Sequence, residues 1–303
     1  MTTATYHLPV LADAVAELAR GRERAVDATV GGGGHASRLR SLGLQVLGLD
    51  RDPEALRRAR AVLGDDPAVA LLHAPFGSAD ARAAVAAFRP DLILLDLGVS
   101  SRQLDADVRG FSFRPGAPLD MRMDPGVGPT AAELLNTLPV DDLADVFYAF
   151  GDERRSRRLA QTVVERRPLA TSDDLVGAIR RALGPRSGPG DFARLFQAVR
   201  IAVNEEFEQL ATALPAFRDA LAPGGILLVI TYHSGEDRLV KQAFRAWSAR
   251  CVCPPGQPIC TCRGRALGHL PFRKAHVADP DEVAANPRAR SARLRAFVRD
   301  DGT

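Results

Sequence analysis

The sequence predicts a doubly wound α/β domain interrupted by an all-helical insertion. Three observations carry this expectation. Over residues 24–96, short apolar runs alternate with helical stripes, the rhythm of βαβ units and a parallel sheet. After Asp96 the rhythm stops, and residues 130–184 hold only helical patterns. It resumes in "APGGILLVITYHS", residues 222–234, a Gly-rich turn followed by a buried strand.

Taken in order, Val10 to Arg20 carries apolar residues at 10, 11, 14, 15 and 18, one helical face. "RAVDATV" (24–30) reads as a buried strand entering a glycine loop, with a helix beyond it. "LQVLGLD" is the second strand and ends on Asp50. Pro53 opens "PEALRRARAVL", since proline is favourable in a first helical turn. "VALLH" is a third strand, "ADARAAVAAF" a helix and "DLILLD" a fourth strand ending on Asp96. Residues 98–129 are loop-like, rich in Gly, Pro, Ser and Asp. "VDDLADVFYAF" and "SDDLVGAIRRAL" are helical, the latter with Ser172 as its expected cap. "ARLFQAVRIAVNEEFEQLATALPAF" predicts a long helix bent near Pro215. "SARLRAFVR" alternates like a strand. The expected division is a core of residues 1–103 and 205–303 with a helical insertion at 104–204.

With 303 residues, 46% apolar and 25% charged, the chain can bury a sizeable core. No apolar run approaches the ~18 residues that span a bilayer. "MTTATYHLPVL" lacks the basic and apolar regions of a signal peptide, so a cytoplasmic protein with reduced cysteines is expected. The net charge is only +3, but residues 151–200 hold eleven Arg against six acids. Residues 263–299 hold nine Arg or Lys against three acids. Two basic regions point to a polyanion, although an Arg bias with only Lys241 and Lys274 as lysines also reflects composition alone.

"VDATVGGGGHA" fits G-x-G-x-x-A at Gly31, Gly33 and Ala36, between a strand and a helix. Glycines there let the backbone approach a ligand, and Asp50 at the end of the next strand can accept from ribose hydroxyls. NAD and S-adenosylmethionine both use such a pair. Asp27 inside the first strand run and Asp96 at the switch-point side of the sheet favour S-adenosylmethionine. His73 and Phe76 follow the third strand, where an aromatic can stack on adenine or serve as core.

Longer motifs are more specific. They are "HLPVL" (7–11), "DATVGGGGH" (27–35), "LDRDPEAL" (49–56), "DLGVSSRQLD" (96–105), "RGFSFRPGAPLDMRMD" (109–124), "FQAVRIAVNEE" (196–206), "ITYHSGEDRLVKQAF" (230–244) and "NPRARSARLR" (286–295). In this order the chain resembles the bacterial 16S rRNA cytosine-N4-methyltransferase family. The resemblance implies a class I, Rossmann-like methyltransferase fold, S-adenosylmethionine as methyl donor, and the decoding-region cytosine usually numbered 1402 as target, presented on the 30S subunit. Carried over by motif, cofactor contacts fall on Gly33, Gly34, His35, Asp50, Phe76, Asp96 and Gln103. The chain departs from the family at Gly235, commonly Leu, and at "GPGDFAR" before "FQA", which bears on local RNA contacts.

Cytosine N4 is a poor nucleophile because its lone pair is delocalised into the ring. Transfer needs acceptors that orient the amine and disperse its developing charge. Asp96, with Ser100 and Ser101 beyond it, stands where amino-methyltransferases of DNA place such acceptors; Asp96 as a pure cofactor ligand is the equal alternative. His233, after the fifth strand, is a further catalytic candidate. Phe111, Phe113 and Tyr232 are candidate stacking platforms or core. Arg122 can hold a phosphate or pair with Asp120, and Asn204 can reach the site or cap an internal turn. Arg154, Arg157 and Arg158 share a face of one predicted helix, at spacing that suits either rRNA phosphates or solvent. Cys251, Cys253, Cys260 and Cys262 form C-x-C-x6-C-x-C, tighter than usual zinc spacing, and read as reduced loop thiols with no metal expected. Two rival classes are a nicotinamide oxidoreductase using the same glycine loop and a non-catalytic RNA-binding assembly factor.

Overall fold

The structure, a computed structural model, describes residues 9–100, 103–104 and 106–301. Two units arise from Cα packing: one runs to Gly98 and resumes at Glu208, the other is Val99–Phe207. The helical unit thus takes in a few more residues at each end than 104–204.

The first unit opens with α1 (Ala12–Ala19), β1 (Arg24–Asp27), α2 (Gly34–Ser41), β2 (Gln45–Asp50), α3 (Pro53–Leu63), β3 (Val69–His73), α4 (Ala79–Phe88) and β4 (Leu92–Asp96). The strands are β-branched and leucine-rich without alternation, as parallel strands covered on both faces must be. The seven-stranded sheet has the order β3-β2-β1-β4-β5-β7-β6, where β5 is Ile226–Thr231, β6 Gly268–His269 and β7 Arg293–Arg299. Strands β1 to β5 pair in parallel, whereas β7 runs antiparallel to β5 and β6. Alternate strand residues face opposite layers. Val26, Leu49, Ile93, Leu95, Leu227 and Val229 join one core with Val85, Phe217 and Phe244; Ala25, Val46, Leu92, Leu94, Ile226 and Leu228 join the other with Val15, Leu39 and Ala59. This is the doubly wound, Rossmann-like core expected from the sequence.

The second unit holds α5 (Ala131–Thr137), α6 (Val140–Ala149), α7 (Ser156–Glu165), α8 (Ser172–Leu183) and α9 (Pro189–Asn204). It has its own apolar core, which includes Met121, Leu135, Phe147, Val163, Ile179 and Leu195. Asn204 ties the preceding loop to this core. Its amide donates to Met121 O at 2.7 Å and to Arg200 O at 2.9 Å, and its Oδ1 accepts from Met123 N at 2.8 Å. Of the two roles open for Asn204, the internal turn is the one observed. The last helices are α10 (Glu206–Ala220), α11 (Ser234–Ser248) and α12 (Pro280–Ala285). No helix among the described residues is long and apolar enough to cross a membrane.

Four local expectations need correction. β1 stops at Asp27, because Ala28 to Gly33 turn toward the helix. Thr171, not Ser172, caps α8: the Thr171 hydroxyl and Asp174 close a capping box, while Ser172 Oγ donates to Arg114 O at 2.6 Å. The long helix breaks at Glu205 rather than near Pro215. Glu205 adopts a left-handed φ of 52°, and α10 continues through Pro215, which leaves one internal carbonyl without its helical donor. Arg154 lies in a turn before α7, not on it. Glu153 is buried and accepts from Arg155 N and from Arg194, so the helix starts only at Ser156.

Candidate cofactor and active site

Three adjacent parallel strands, β2, β1 and β4, each end on an aspartate: Asp50, Asp27 and Asp96. The chain order reverses between β1 and β4, the crevice where open α/β sheets bind ligands. After β1 the backbone turns through Thr29 to Gly33. Gly33 caps α2 with φ 86°, and a Cβ there would stand 3.2 Å from Ala59 Cα, so the turn requires glycine. Gly34 and His35 are the first residues of α2, whose cap has no side chain to occupy the leading N–H groups. Such an end favours an anionic group.

Asp96 is held from three directions. Its backbone N–H donates to Thr29 Oγ1 at 2.7 Å, Tyr232 hydroxyl donates to its Oδ1 at 2.8 Å, and His35 Nε2 lies 3.6 Å from its Oδ2. His35 is buried; burial alone would lower its pKa, but the nearby Asp96 carboxylate, then the charge of Asp27, raise it. Asp27 is pushed up to about 6, chiefly by desolvation, against the pull of His35 and with the push of Asp96. Burial and the charge of Asp96 push the Tyr232 phenol up as well, so it stays a donor. Asp50 is also raised to about 6 by desolvation, although its carboxylate accepts from Gly31 N and Asp52 N, both at 2.8 Å.

Two features fit the donor expected from the sequence. Asp27 Oδ2 and both ring nitrogens of His35 are buried without a hydrogen-bond partner among the described residues. A zwitterionic amino acid joined to a ribose would supply an ammonium for Asp27, a carboxylate for the start of α2, and hydroxyls for Asp50. The chemistry of this donor set therefore suits S-adenosylmethionine. Asp27 and Thr29 were not among the cofactor residues carried over by motif. The available signal was that three strands end on the same acid.

The other candidates fall into place as follows. Phe76 is half-buried after β3 and joins the core against α10, and His73 Nε2 lies 2.9 Å from Arg51 O. His233 is the N-cap of α11: its Nδ1 faces Glu236 N at 3.5 Å and its Nε2 lies 3.0 Å from Glu236 Oε1, so the ring serves the helix start. Ser100 and Gln103 belong to the Val99–Phe207 unit and bond each other: Gln103 Oε1 accepts from Ser100 N at 2.8 Å, and Ser100 Oγ from Gln103 N at 3.3 Å. Ser101 lies outside the described residues. Phe111 is core, whereas Phe113 is 37% exposed with its edge against Phe192 and Phe196. Asp120 and Arg122 form a two-point ion pair with both contacts at 2.8 Å, which leaves the phosphate role of Arg122 without support. Arg154, Arg157 and Arg158 are all exposed; only Arg157 and Arg158 stand on α7, in its first turn.

Residues 4–300 match the profile of the MraW methylase family. Among similar proteins, "Ribosomal RNA small subunit methyltransferase H" of Gemmatimonas aurantiaca is 54% identical over 97% of this chain and 96% of its own. The protein of the same name from Rubrobacter xylanophilus is 47% identical, covering 98% and 96%. That from Heliobacterium modesticaldum is 44% identical, covering 96% and 97%.

Proposed function

The chain belongs to the MraW methylase family, and from that premise we propose that it transfers a methyl group from S-adenosylmethionine to N4 of one cytosine in the decoding region of small-subunit rRNA, on the 30S particle in the cytoplasm. Membership removes the nicotinamide oxidoreductase as a rival. The observation that carries the reading is Asp96 at the switch point, whose carboxylate accepts from Tyr232 beside His35 while its backbone N–H donates to Thr29.

When bound, S-adenosylmethionine supplies an activated methyl on a positively charged sulfur. Asp50 would accept from the ribose, Asp27 from the ammonium, and the leading N–H groups of α2 would face the carboxylate. Phe76, which follows β3, would face the adenine. Asp96 would accept a hydrogen bond from the N4 amine, turn its lone pair toward the methyl carbon and disperse the charge that develops on nitrogen. The amine loses one proton in the reaction. Asp96 accepts it transiently or passes it to water, with His35 able to hold positive charge beside the carboxylate. Tyr232 and Thr29 bear on orientation only. The capping role of His233 makes it a weaker catalytic candidate than Asp96.

The helical unit is proposed to recognise rRNA. Arg157 and Arg158 lie at the positive end of the α7 dipole with no acid in the first turn, and Arg154 flanks them. A polyanion is the natural partner of such an end. The reading is tested by methylating 30S subunits that lack this modification and mapping the product base; a non-catalytic assembly factor would bind subunits and leave the base unmodified.

A further inference from the structure

We propose that Cys251, Cys253, Cys260 and Cys262 form a structural tetrathiolate Zn²⁺ site that staples the loop between α11 and β6. Their four sulfurs all lie within 4.8 Å of one another. Four of the six sulfur separations are 3.8 Å (Cys251–Cys260), 3.9 Å (Cys253–Cys260), 3.4 Å (Cys260–Cys262) and 3.8 Å (Cys262–Cys251). A tetrahedron with Zn–S of about 2.3 Å has edges of about 3.8 Å. A disulfide would bring two sulfurs to about 2.05 Å, and none of these pairs is near that.

C-x-C spacing argues against zinc only while each pair is considered alone. The chain solves it by facing one C-x-C arm with the other. Pro254–Pro255–Gly256–Gln257 makes the reversal: Gln257 N donates to Pro254 O at 3.3 Å, proline precedes a glycine with φ 86°, and the turn is type II. The Gln257 amide then donates to Ile259 O at 2.9 Å and Thr261 Oγ1 at 2.8 Å, holding the second arm. Val252 N aims at Cys262 Sγ at 3.3 Å, the kind of backbone donor that steadies a metal-bound thiolate. The loop is anchored where it leaves α11. The Arg263 guanidinium donates to the carbonyls of Ala246, Trp247 and Ala249 at the helix end, where Trp247 O also accepts from Leu267 N at 2.8 Å.

The burial pattern favours a metal over packing. Free cysteine is ordinarily among the most buried residues. Here Cys251 and Cys260 are exposed, Cys253 and Cys262 only half-buried, and the neighbouring Val252 and Ile259 are exposed at 46% and 75%. A loop that buries so little has no apolar core of its own to offset ordering it. Binding replaces four S–H protons by one Zn²⁺ and releases them to solvent, giving a dianionic centre whose first and last ligands adjoin Arg250 and Arg263 in sequence.

The full-length protein, purified under reducing conditions without chelator, should carry about one zinc per chain by elemental mass spectrometry, and little iron. Exchange with Co²⁺ should give the sulfur-to-metal charge-transfer and d–d bands of a tetrahedral tetrathiolate. Cys260→Ser should lose both signals while binding S-adenosylmethionine as the parent does, which separates metal loss from unfolding. In the parent, all four thiols should resist a thiol reagent until a chelator is added. No metal with four freely reacting thiols, bound iron instead of zinc, or disulfides in the intact-mass spectrum would each overturn the proposal. None of these readouts depends on methyl transfer.

Discussion

Tyr232 hydroxyl donates to Asp96 Oδ1 at 2.8 Å, joining the residue after β5 to the last residue of β4. The bond fixes which way the carboxylate faces and uses one lone pair of one oxygen. If Asp96 orients the N4 amine, Asp96→Asn should lower the single-turnover rate far more than it lowers cofactor affinity. Tyr232→Phe removes a hydrogen bond to a charged group, worth about 1.5–3 kcal/mol, so the rate should fall about tenfold or more. Its cofactor Kd should hardly change. Rapid-quench turnover and calorimetry on both variants check this; a defect confined to cofactor binding would make Asp96 a cofactor ligand only.

Asp50 accepts from Gly31 N and Asp52 N at the end of its strand, where the proposed function puts the ribose. Asp50→Ala should weaken S-adenosylmethionine binding by about 1.5–3 kcal/mol, the range for charged hydrogen bonds. Because the substitution also frees two backbone donors, Asp50→Asn is the cleaner variant and should show the smaller loss. Unchanged affinity in both would remove Asp50 from the site.

Asp27 and Asp50 titrate near 6, above the ordinary 3.8, because burial disfavours their charged forms. The folded chain then binds these protons more tightly than the unfolded chain. Stability without cofactor should be full below about pH 4 and decline as pH rises through 6. His35, raised above 6.5, adds in the same direction, with its contribution lost as pH rises through its folded value. Asp27→Asn should therefore stabilise the cofactor-free protein by on the order of 2–3 kcal/mol at pH 8, by about half of that at pH 5 and by little below pH 4. Cofactor affinity should run the opposite way, falling below pH 6 as the acceptors protonate. Denaturant titrations and calorimetry across pH 5–8 test both slopes; a pH-independent difference between parent and variant would contradict this account of Asp27.

Much of this site was legible because strands end abruptly. Asp50 and Asp96 stand out where apolar runs stop on an acid, and Gly33 where a turn must admit a close backbone. The surroundings of Asp96 were not legible, since Thr29, His35 and Tyr232 reach it only once three parallel strands are in register. The same limit explains Glu205 and Pro215. Proline is a visible helix breaker, whereas the left-handed break at Glu205 adjoins Asn204, whose side chain is tied to Met121 and Met123 some eighty positions earlier. Arg154 left its predicted helix for a comparable reason, the burial of Glu153 against Arg194. The cysteine spacing says nothing of how the two C-x-C arms face each other, and the proposed zinc site rests on that facing.

Replacing Arg154, Arg157 and Arg158 with Gln should weaken 30S binding and flatten its salt dependence, since each lost phosphate contact removes about one unit of slope. Cofactor affinity should stay as it was. An unchanged salt slope would make this surface ordinary and move recognition to the basic stretch from Arg263 to Arg299.

The most direct measurement is nucleoside mass spectrometry of 30S subunits lacking the modification, after incubation with this protein and isotopically labelled S-adenosylmethionine. The account predicts one label per subunit, on N4 of a single decoding-region cytosine, and none with Asp96→Asn under the same conditions. Label on a ring carbon or ribose oxygen, label elsewhere in the rRNA, or full turnover by Asp96→Asn would contradict it.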